Sequence, residues 1–251
     1  MKKAAIYLIL AMIGVTASGG RAYAEEPIII AINIIPPYVF KRDGNITGII
    51  PEITQIVAQK AGLPYVVEVY PWARIYKMGL EDKNILLPTI YRTPEREKLF
   101  KWVGAVFPLK LWMFKLKRRS DIHIDSIEAA KSYQTGGENE DASTQYLIRQ
   151  GFIQGKNLTA FTGGKQLVQM LNSGRLDLVV AEELNFQHWA AELGLNASDF
   201  EKAYFIEGVQ ANLNLAFSQR TNDAIVEKYK KALNGIKKDG TFEKVLLKWG
   251  M

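Results

Sequence analysis

The sequence predicts an α/β fold with largely parallel sheets. The fold is expected to have two lobes, and the chain is expected to pass from one lobe to the other twice. Three observations lead to this prediction. Strand patterns and helix patterns alternate along the chain, which favours parallel sheets covered by helices. The chain is long enough for two lobes, and two of its strand patterns are placed to pass from one lobe to the other.

The first 24 residues have the pattern of a secretory signal peptide. Two lysines follow the first methionine, an almost wholly apolar stretch runs from Ala4 to Val15, and Ala22-Tyr23-Ala24 is an A-x-A cleavage pattern. The apolar stretch is shorter than the ~20 residues that a membrane-spanning helix needs. The chain has no cysteine, so the cleavage site cannot carry a lipid. We therefore expect a mature protein that begins at Glu25 in the periplasm.

The size and charge of the mature chain restrict its partners. Removal of residues 1–24 from the 251 leaves 227, enough for two lobes of about 100 residues each. Three of the 32 basic residues leave with the signal peptide, so 29 basic residues stand against 26 acidic ones. This balance is not typical of nucleic-acid-binding proteins, and we expect a monomer with no nucleic-acid partner.

The first part of the mature chain alternates strands with helices. Apolar and β-branched runs predict strands over Pro27–Ile34, Tyr65–Tyr70 and Ile85–Ile90. Helical spacing predicts a helix that begins near Pro51 and ends at Gly62, and a second helix over Trp72–Leu80.

The later part continues in the same way. The predicted helices are Ser143–Arg149, Gly164–Asn172, one capped by Thr221 that runs through Lys231, and one that ends near Trp249. The predicted strands are Leu158–Phe161 and Leu176–Ala181.

Two stretches, Leu109–Leu116 and Tyr204–Phe217, read as long strands that cross between lobes. They divide the mature chain into lobe one, residues 25–112 and 211–251, and lobe two, residues 113–210. A chain that crosses twice forms a two-stranded hinge, and we expect the ligand site in the cleft between the lobes.

Several segments stand in an order and spacing that carry a family resemblance. They are Pro36-Pro37-Tyr38-Val39-Phe40 with Gly44 and Thr47-Gly48, Thr93-Pro94-Glu95-Arg96 followed by Phe100, Gly174 to Val180, Leu215-Ala216-Phe217-Ser218, and Lys238-Asp239-Gly240-Thr241 with Trp249. Together they resemble the family 3 bacterial solute-binding proteins, which include the polar amino-acid receptors of ABC importers. The resemblance covers essentially the whole mature chain and implies the two-lobed periplasmic-binding-protein fold of type II.

The resemblance assigns the two charged ends of a ligand to Arg96 and Glu182. In the family, the arginine of the T-x-x-R segment clamps the ligand carboxylate, which a guanidinium group matches with two parallel hydrogen bonds. Glu182 lies five residues after Asp177, where the family usually has an aspartate that receives the ligand ammonium group. Three alternatives remain. Arg96 could form a surface ion pair, Glu182 could lie at a solvated strand end, and the residue at the site could be Glu183 instead of Glu182.

Six further residues are expected at the site from the same resemblance: Tyr38, Trp72, Thr89, Tyr91, Asn139 and Asp141. The first two resemble aromatic walls, with a core role as the alternative. The next two stand where the family presents hydroxyl and backbone partners. The last two follow Gly136-Gly137 in a predicted loop that resembles a carboxylate-binding turn. Arg74 and Arg92 hint at a more acidic ligand, with surface roles as the alternative.

The sequence thus predicts a protein that captures a small ligand, an amino acid or a related carboxylate, by lobe closure for an ABC importer or a membrane sensor. A periplasmic enzyme on the same fold, such as a dehydratase of prephenate-like compounds, is the alternative. His123 and His188 lack metal-ligand spacing, and the chain has neither a G-x-S-x-G elbow nor a P-loop. We therefore predict no catalytic residues, no metal and no cofactor.

Overall fold

The computed structural model describes residues 26–207 and 212–250, whose strands form two five-stranded sheets and one hairpin. The first sheet has the strand order β4 (Tyr65–Val69), β1 (Ile28–Ile32), β5 (Ile85–Tyr91), β12 (Asn212–Ser218) and β6 (Phe100–Pro108). The second sheet has the order β11 (Phe200–Phe205), β7 (Leu111–Leu116), β10 (Leu178–Glu182), β8 (Thr135–Glu138) and β9 (Leu158–Phe161). The hairpin consists of β2 (Phe40–Arg42) and β3 (Asn45–Thr47). The predicted signal peptide lies outside the described residues.

The helices divide between the two sheets. Those in the chain segments of the first sheet are α1 (Ile49–Ala61), α2 (Trp72–Glu81), α7 (Asp223–Lys238) and α8 (Thr241–Lys248). Those in the segment of the second sheet are α3 (Ile127–Ala130), α4 (Ala142–Arg149), α5 (Gly164–Asn172) and α6 (Glu183–Glu192). None of the helices within residues 26–207 and 212–250 combines the length and the hydrophobicity that crossing a bilayer requires.

Each sheet combines parallel and antiparallel pairs. β1 is parallel to β4 and β5, and β8 is parallel to β9 and β10. β12 is antiparallel to β5 and β6, and β7 is antiparallel to β10 and β11. The expectation of largely parallel sheets is therefore wrong for the strands next to the crossings. A chain that leaves a sheet and later re-enters it beside the same strand runs in the opposite direction on its return.

The two crossings differ from the continuous strands that the sequence predicted. Strand β6 ends at Pro108 and β7 begins at Leu111 in the other sheet, so the chain changes sheets within two residues. Leu111 and Trp112, assigned to lobe one from the sequence, pair with Glu182 and Ala181 in the second sheet. On the return, β11 and β12 are separate strands in different sheets. An apolar run does not reveal where its pairing partner changes, and the exact lobe boundaries stay a prediction.

Each sheet has its own aromatic packing. In the first sheet, Phe217 meets Tyr229 of α7 edge to face, with ring centroids 4.8 Å apart. In the second, Phe114 stacks on Phe186 of α6 at 4.1 Å. Such pairs add stability beyond the burial of their area. The largest hydrophobic cluster contains buried residues of both lobes, among them Ile30 and Phe217 of the first and Leu147 and Val180 of the second.

The start of α7 differs by one residue from the prediction. Asn222, not Thr221, is the N-cap, and its side chain accepts a hydrogen bond from the Ala224 backbone N–H at 2.8 Å. The Thr221 hydroxyl instead accepts a hydrogen bond from the Asn84 backbone N–H at 3.1 Å. Both residue types cap helices well, so the choice depends on this tertiary partner.

Candidate functional site

The carboxyl ends of four strands, two from each sheet, meet around a small cavity. Asn33 follows β1, Tyr91 ends β5, Glu138 ends β8 and Glu182 ends β10, and all four line the cavity. Open α/β sheets bind ligands at the carboxyl ends of their strands, where side chains are free of the ladder. The topology therefore makes the space between the two lobes the candidate ligand site.

The cavity has a volume of about 60 Å³ and adjoins an outer cleft of about 740 Å³. Since roughly 10–15 Å³ measured in this way holds one water, the inner space accommodates a group of a few non-hydrogen atoms. Trp72 and Trp189 line both spaces and form aromatic walls between them.

Five of the eight residues predicted from the sequence line this cavity, namely Trp72, Thr89, Tyr91, Asp141 and Glu182. Tyr38, Arg96 and Asn139 are absent from the described lining. The binding roles of all eight stay predictions, but the cavity brings together residues from positions 72 to 182 of the chain. At the end of β10, Glu182 lines the cavity, whereas Glu183 pairs with Lys202 at 2.5 Å. Which of the two glutamates binds the ligand stays a prediction.

Glu182 is held by the helix that follows it. It is the N-cap of α6, and its carboxylate accepts a hydrogen bond from the Asn185 backbone N–H at 3.1 Å. Burial raises the pKa of this carboxyl group, while the hydrogen bonds from the Asn185 backbone and the Tyr38 hydroxyl act in the opposite direction. The carboxylate is thus oriented toward the cavity and partly removed from water.

Two phenols lie close to these carboxylates. Tyr91 is buried, and its pKa is raised by desolvation and by the nearby Asp141 and Glu182. The pKa of Tyr38 is raised by burial and by the same Glu182. Both phenols therefore keep their protons and act as hydrogen-bond donors. The ring of Tyr38 packs on Phe107 with centroids 5.1 Å apart, as in the alternative core role, while its hydroxyl faces the carboxyl group of Glu182.

Arg96 is completely buried, at 0% exposure, and is not the surface ion pair that the sequence left open. Its Nη2 donates to the backbone carbonyl oxygen of Glu140 at 2.6 Å, and its Nη1 donates to the Tyr91 carbonyl at 3.4 Å. The guanidinium carbon lies 4.9 Å from the ring centroid of Tyr76 and 5.6 Å from that of Trp72. Burial lowers the pKa of Arg96, and the carboxylate of Asp141 opposes the shift.

The Glu140 carbonyl oxygen is shared between two donors of the first lobe. The indole Nε1 of Trp72 donates to it at 2.9 Å, beside the bond from Arg96. A second contact between lobes lies nearby, where Arg149 of α4 pairs with Glu95 at 3.1 Å. The structure is therefore a closed arrangement, with the start of α4 held against the first lobe.

Asp141 lines the cavity as expected, whereas Asn139 is absent from the described lining. Asp141 is the N-cap of α4 and accepts hydrogen bonds from the backbone and the hydroxyl of Ser143. The backbone N–H of Asn139 donates to the Phe161 carbonyl at 2.8 Å, which continues the pairing of β8 with β9. Gly136-Gly137 lie within β8, and the predicted loop that contains Asn139 and Asp141 follows the end of this strand. Small residues fit there because side chains of α4 and α5 pack directly on that strand.

Four polar residues of the cavity were not predicted from the sequence: Asn33, Glu138, Ser143 and Asn185. Asn33 accepts a hydrogen bond from the Thr89 hydroxyl at 2.7 Å. Burial raises the pKa of Glu138 to about 8, and the neighbouring Asp141 adds to the shift. The side-chain oxygen of Asn185 is buried and has no partner among the described residues. Each lies at the carboxyl end of a strand or in the helical turn that follows the strand. A polar residue at such a position in the sequence is the signal that could have identified them.

The positive charges predicted near the site do not reach it. Arg92 forms a two-pronged pair with Glu97 on the surface, and Arg74 stacks over the Tyr70 ring at 4.3 Å. The described lining of the cavity contains three carboxylates, Glu138, Asp141 and Glu182, and neither lysine nor arginine. This charge balance disfavours the more acidic ligand that the two arginines suggested.

Comparisons with known proteins agree with this arrangement. The family of bacterial extracellular solute-binding proteins, family 3, matches residues 28–251. The arginine-binding extracellular protein ArtP of Bacillus subtilis (strain 168) is 24% identical over 265 residues, which cover 99% of this chain and 98% of ArtP. A probable amino-acid ABC transporter-binding protein of Haemophilus influenzae is 22% identical over 214 residues, 85% of this chain and 80% of that protein.

Among solved structures, a histidine kinase sensor domain with similarity to periplasmic binding proteins superposes with a TM-score of 0.77. The superposition covers 90% of this chain and 96% of that domain at 16% identity, so it supports the fold alone. The predicted type II fold and the predicted solute-binding role are both confirmed. With a family match that spans the chain from β1 to its end, this protein belongs to the family 3 bacterial extracellular solute-binding proteins.

Proposed function

We propose that the protein captures a small, positively charged solute, an amino acid or an amine related to one, by closing its two lobes around it. The observation that carries this proposal is the described cavity lining, which holds three carboxyl groups and no basic side chain. A bound cation stabilises their ionised forms, including that of Glu138, whose pKa burial raises to about 8. A buried charge needs a partner, so a cation is the solute that such a lining stabilises. The aromatic faces of Trp72 and Trp189 add cation–π attraction.

Closure of the lobes brings cavity residues of both lobes into contact with the solute. Glu138, Asp141 and Glu182 belong to the second lobe, and Asn33, Thr89 and Tyr91 to the first. A solute that contacts both sets binds the closed form more tightly than the open one and shifts the population toward it. The division into lobes near residues 112 and 211 is part of this proposal.

A thermal-shift screen tests the proposed ligand class, because a solute that binds only the folded protein raises its melting temperature. We expect basic amino acids and small amines to raise it and dicarboxylates to leave it unchanged. If dicarboxylates stabilise the protein while basic compounds do not, the charge argument is wrong. Recovery of the bound solute unchanged after long incubation separates binding from turnover and tests the proposal that the protein is not an enzyme.

We also propose that a monomer, without nucleic acid, delivers its solute in the periplasm to an ABC permease. The name of the Haemophilus influenzae relative, an amino-acid ABC transporter-binding protein, supports the permease. The names of ArtP and of the family, both extracellular, support export of the chain. Sequencing of the periplasmic protein tests export, with Glu25 expected as its first residue. Transport assays with the permease and with a sensor kinase, each reconstituted with the loaded protein, distinguish delivery from signalling.

A further inference from the structure

One face of α6 lines the cavity. The N-cap residue Glu182, Asn185 in the first turn of the helix and Trp189 one turn later all belong to the described lining. Residues three and four apart along a helix lie on the same side, so these side chains are presented to the cavity together. Glu182 supplies a carboxyl group and Trp189 an aromatic wall, and Asn185 stands between them.

The amide oxygen of Asn185 is buried without a hydrogen-bond donor. The residue is 5% exposed, and its Oδ1 has no partner among the described residues. Nearly all buried polar atoms in folded proteins are hydrogen-bonded, and an unpaired one costs free energy. The hydroxyl of Tyr229 shares this property, but Tyr229 belongs to α7 and is absent from the described lining of the cavity. Asn185 differs because it lines the space that a solute would enter.

The amide group of Asn185 can turn its oxygen into the cavity. Rotation about the last bond of an asparagine side chain exchanges the oxygen and the nitrogen with little change in shape. Because no described donor holds the Asn185 oxygen, the rotation breaks no hydrogen bond of that atom. The backbone N–H of the same residue is already used, since it donates to the Glu182 carboxylate at 3.1 Å. The first turn of α6 can therefore offer the cavity two acceptors, a carboxylate and an amide oxygen.

The surroundings of Asn185 favour a cation with N–H donors as its partner. The described lining contains the carboxyl groups of Glu138, Asp141 and Glu182 and neither lysine nor arginine. The cavity of about 60 Å³ takes a group of a few non-hydrogen atoms, so one ammonium or guanidinium group there lies within reach of Glu182 and Asn185 together.

We propose that Asn185 is a specificity-determining residue, whose amide oxygen accepts a hydrogen bond from the cationic group of the solute beside Glu182. An ammonium group has three N–H donors and a guanidinium group five, so either can satisfy the carboxylate and the amide at once. This inference rests on the proposed capture of a cationic solute and adds a residue to its recognition.

Two substitutions at Asn185 test the inference. Leucine is similar in shape to asparagine and lacks the oxygen, whereas aspartate keeps an acceptor and lacks the N–H donors. The probe is whichever of L-arginine, L-lysine and cadaverine binds the mature wild-type protein most tightly in calorimetric titration. We expect Asn185→Leu to weaken binding of the probe at least about tenfold, and Asn185→Asp to bind it as tightly as wild type or more tightly. An equal loss in both variants would show that the side chain donates to the solute, and it would overturn the inference.

Thermal unfolding of the ligand-free variants distinguishes a binding role from a structural one. Removal of an unpaired buried oxygen removes a cost from the folded protein, so Asn185→Leu should melt at the wild-type temperature or above it. A clear fall in its melting temperature would show a structural role and would overturn the inference. Tyr229→Phe is the control, because it removes another buried, unpaired oxygen outside the described lining, and it should bind the probe as tightly as wild type.

The outcomes separate the inference from the function on which it rests. If the wild-type protein binds the probe and Asn185→Leu binds it equally well, the inference is overturned while capture of a cationic solute stands. If none of the three basic compounds binds, the proposed function is overturned together with the inference.

Discussion

Arg96 of the first lobe and Glu140 of the second are joined by a hydrogen bond of 2.6 Å between the guanidinium Nη2 and the backbone carbonyl oxygen. The bond lies in a buried, aromatic surrounding, where the arginine also faces the rings of Tyr76 and Trp72. A contact of this kind does not depend on a ligand. It therefore contributes to the closed state of the protein by itself, and the first prediction concerns that contribution.

Arg96→Lys should loosen the closed state. Lysine keeps the charge but lacks the planar fork that reaches the Glu140 and Tyr91 carbonyls together. We expect the loss of a charged hydrogen bond to cost about 1.5–3 kcal/mol. Small-angle scattering without ligand should show a larger radius of gyration, and chemical unfolding a lower stability. Arg92→Lys, which changes an exposed pair, should alter neither, and an unchanged radius in Arg96→Lys would contradict the role of this bond.

Glu182→Gln should weaken binding of a cationic solute more than tenfold and leave the fold intact. The side-chain oxygen of glutamine can still accept the hydrogen bond from the Asn185 backbone N–H that caps α6. Only the charge facing the cavity is removed, at a cost of at least about 1.4 kcal/mol for a tenfold change. Calorimetric titration measures the loss. Glu183→Gln is the matched control at the next position, and the prediction fails if the two variants lose affinity equally.

The ligand-free protein should lose stability as the pH rises from about 4.5 to about 8. Burial raises the pKa of Glu138 from 4.5 to about 8, so the folded state holds a proton in this range that the unfolded state has released. The folded state is then disfavoured progressively, by up to about 1.4 kcal/mol per pH unit for one proton. Urea unfolding at several pH values measures the slope, and Glu138→Gln should reduce it.

The control for this pH effect is the bound solute. A cation beside Glu138 and Asp141 stabilises their charged forms, so saturating amine should flatten the fall of stability between pH 6 and 8. The prediction fails if the stability of the wild-type protein depends on pH in the same way as that of Glu138→Gln. That result would show that the Glu138 carboxyl group is already ionised at neutral pH.

Gly164→Ala should disturb the aromatic wall of the cleft. A Cβ atom at Gly164 would lie 2.1 Å from the Trp189 ring, so the indole must move. Overpacking of this kind costs roughly 1–3 kcal/mol, and here it also reshapes a wall of the ligand site. Tryptophan fluorescence and calorimetric titration should both change. Gly163→Ala is the control one residue earlier, because a Cβ atom there has nothing within 4 Å. Equal effects of the two changes would contradict the steric argument.

Hydrophobic periodicity predicted helices and strands well where the bounds of an element depend on its own residues. The strand over Leu158–Phe161 and the helix over Gly164–Asn172 have the predicted bounds. The prediction was poorer where the bounds of a strand depend on the strand with which it pairs. Strand β6 was missed, and the apolar stretch Leu109–Leu116 was read as one crossing strand although the chain changes sheets before Leu111. Two strands that continue one another share a single hydrophobic pattern, so only their pairing partners show the break.

The sequence by itself determined the alternation of strands and helices, the family, and five of the residues that line the cavity, because local patterns and ordered motifs carry that information. Only the tertiary structure decided how the charges of the site combine. It placed Glu138 beside Asp141, and it joined Arg96 to a backbone oxygen 44 residues away. A backbone carbonyl has the same chemistry at every residue, so no sequence pattern marks the one that folding brings to a buried guanidinium.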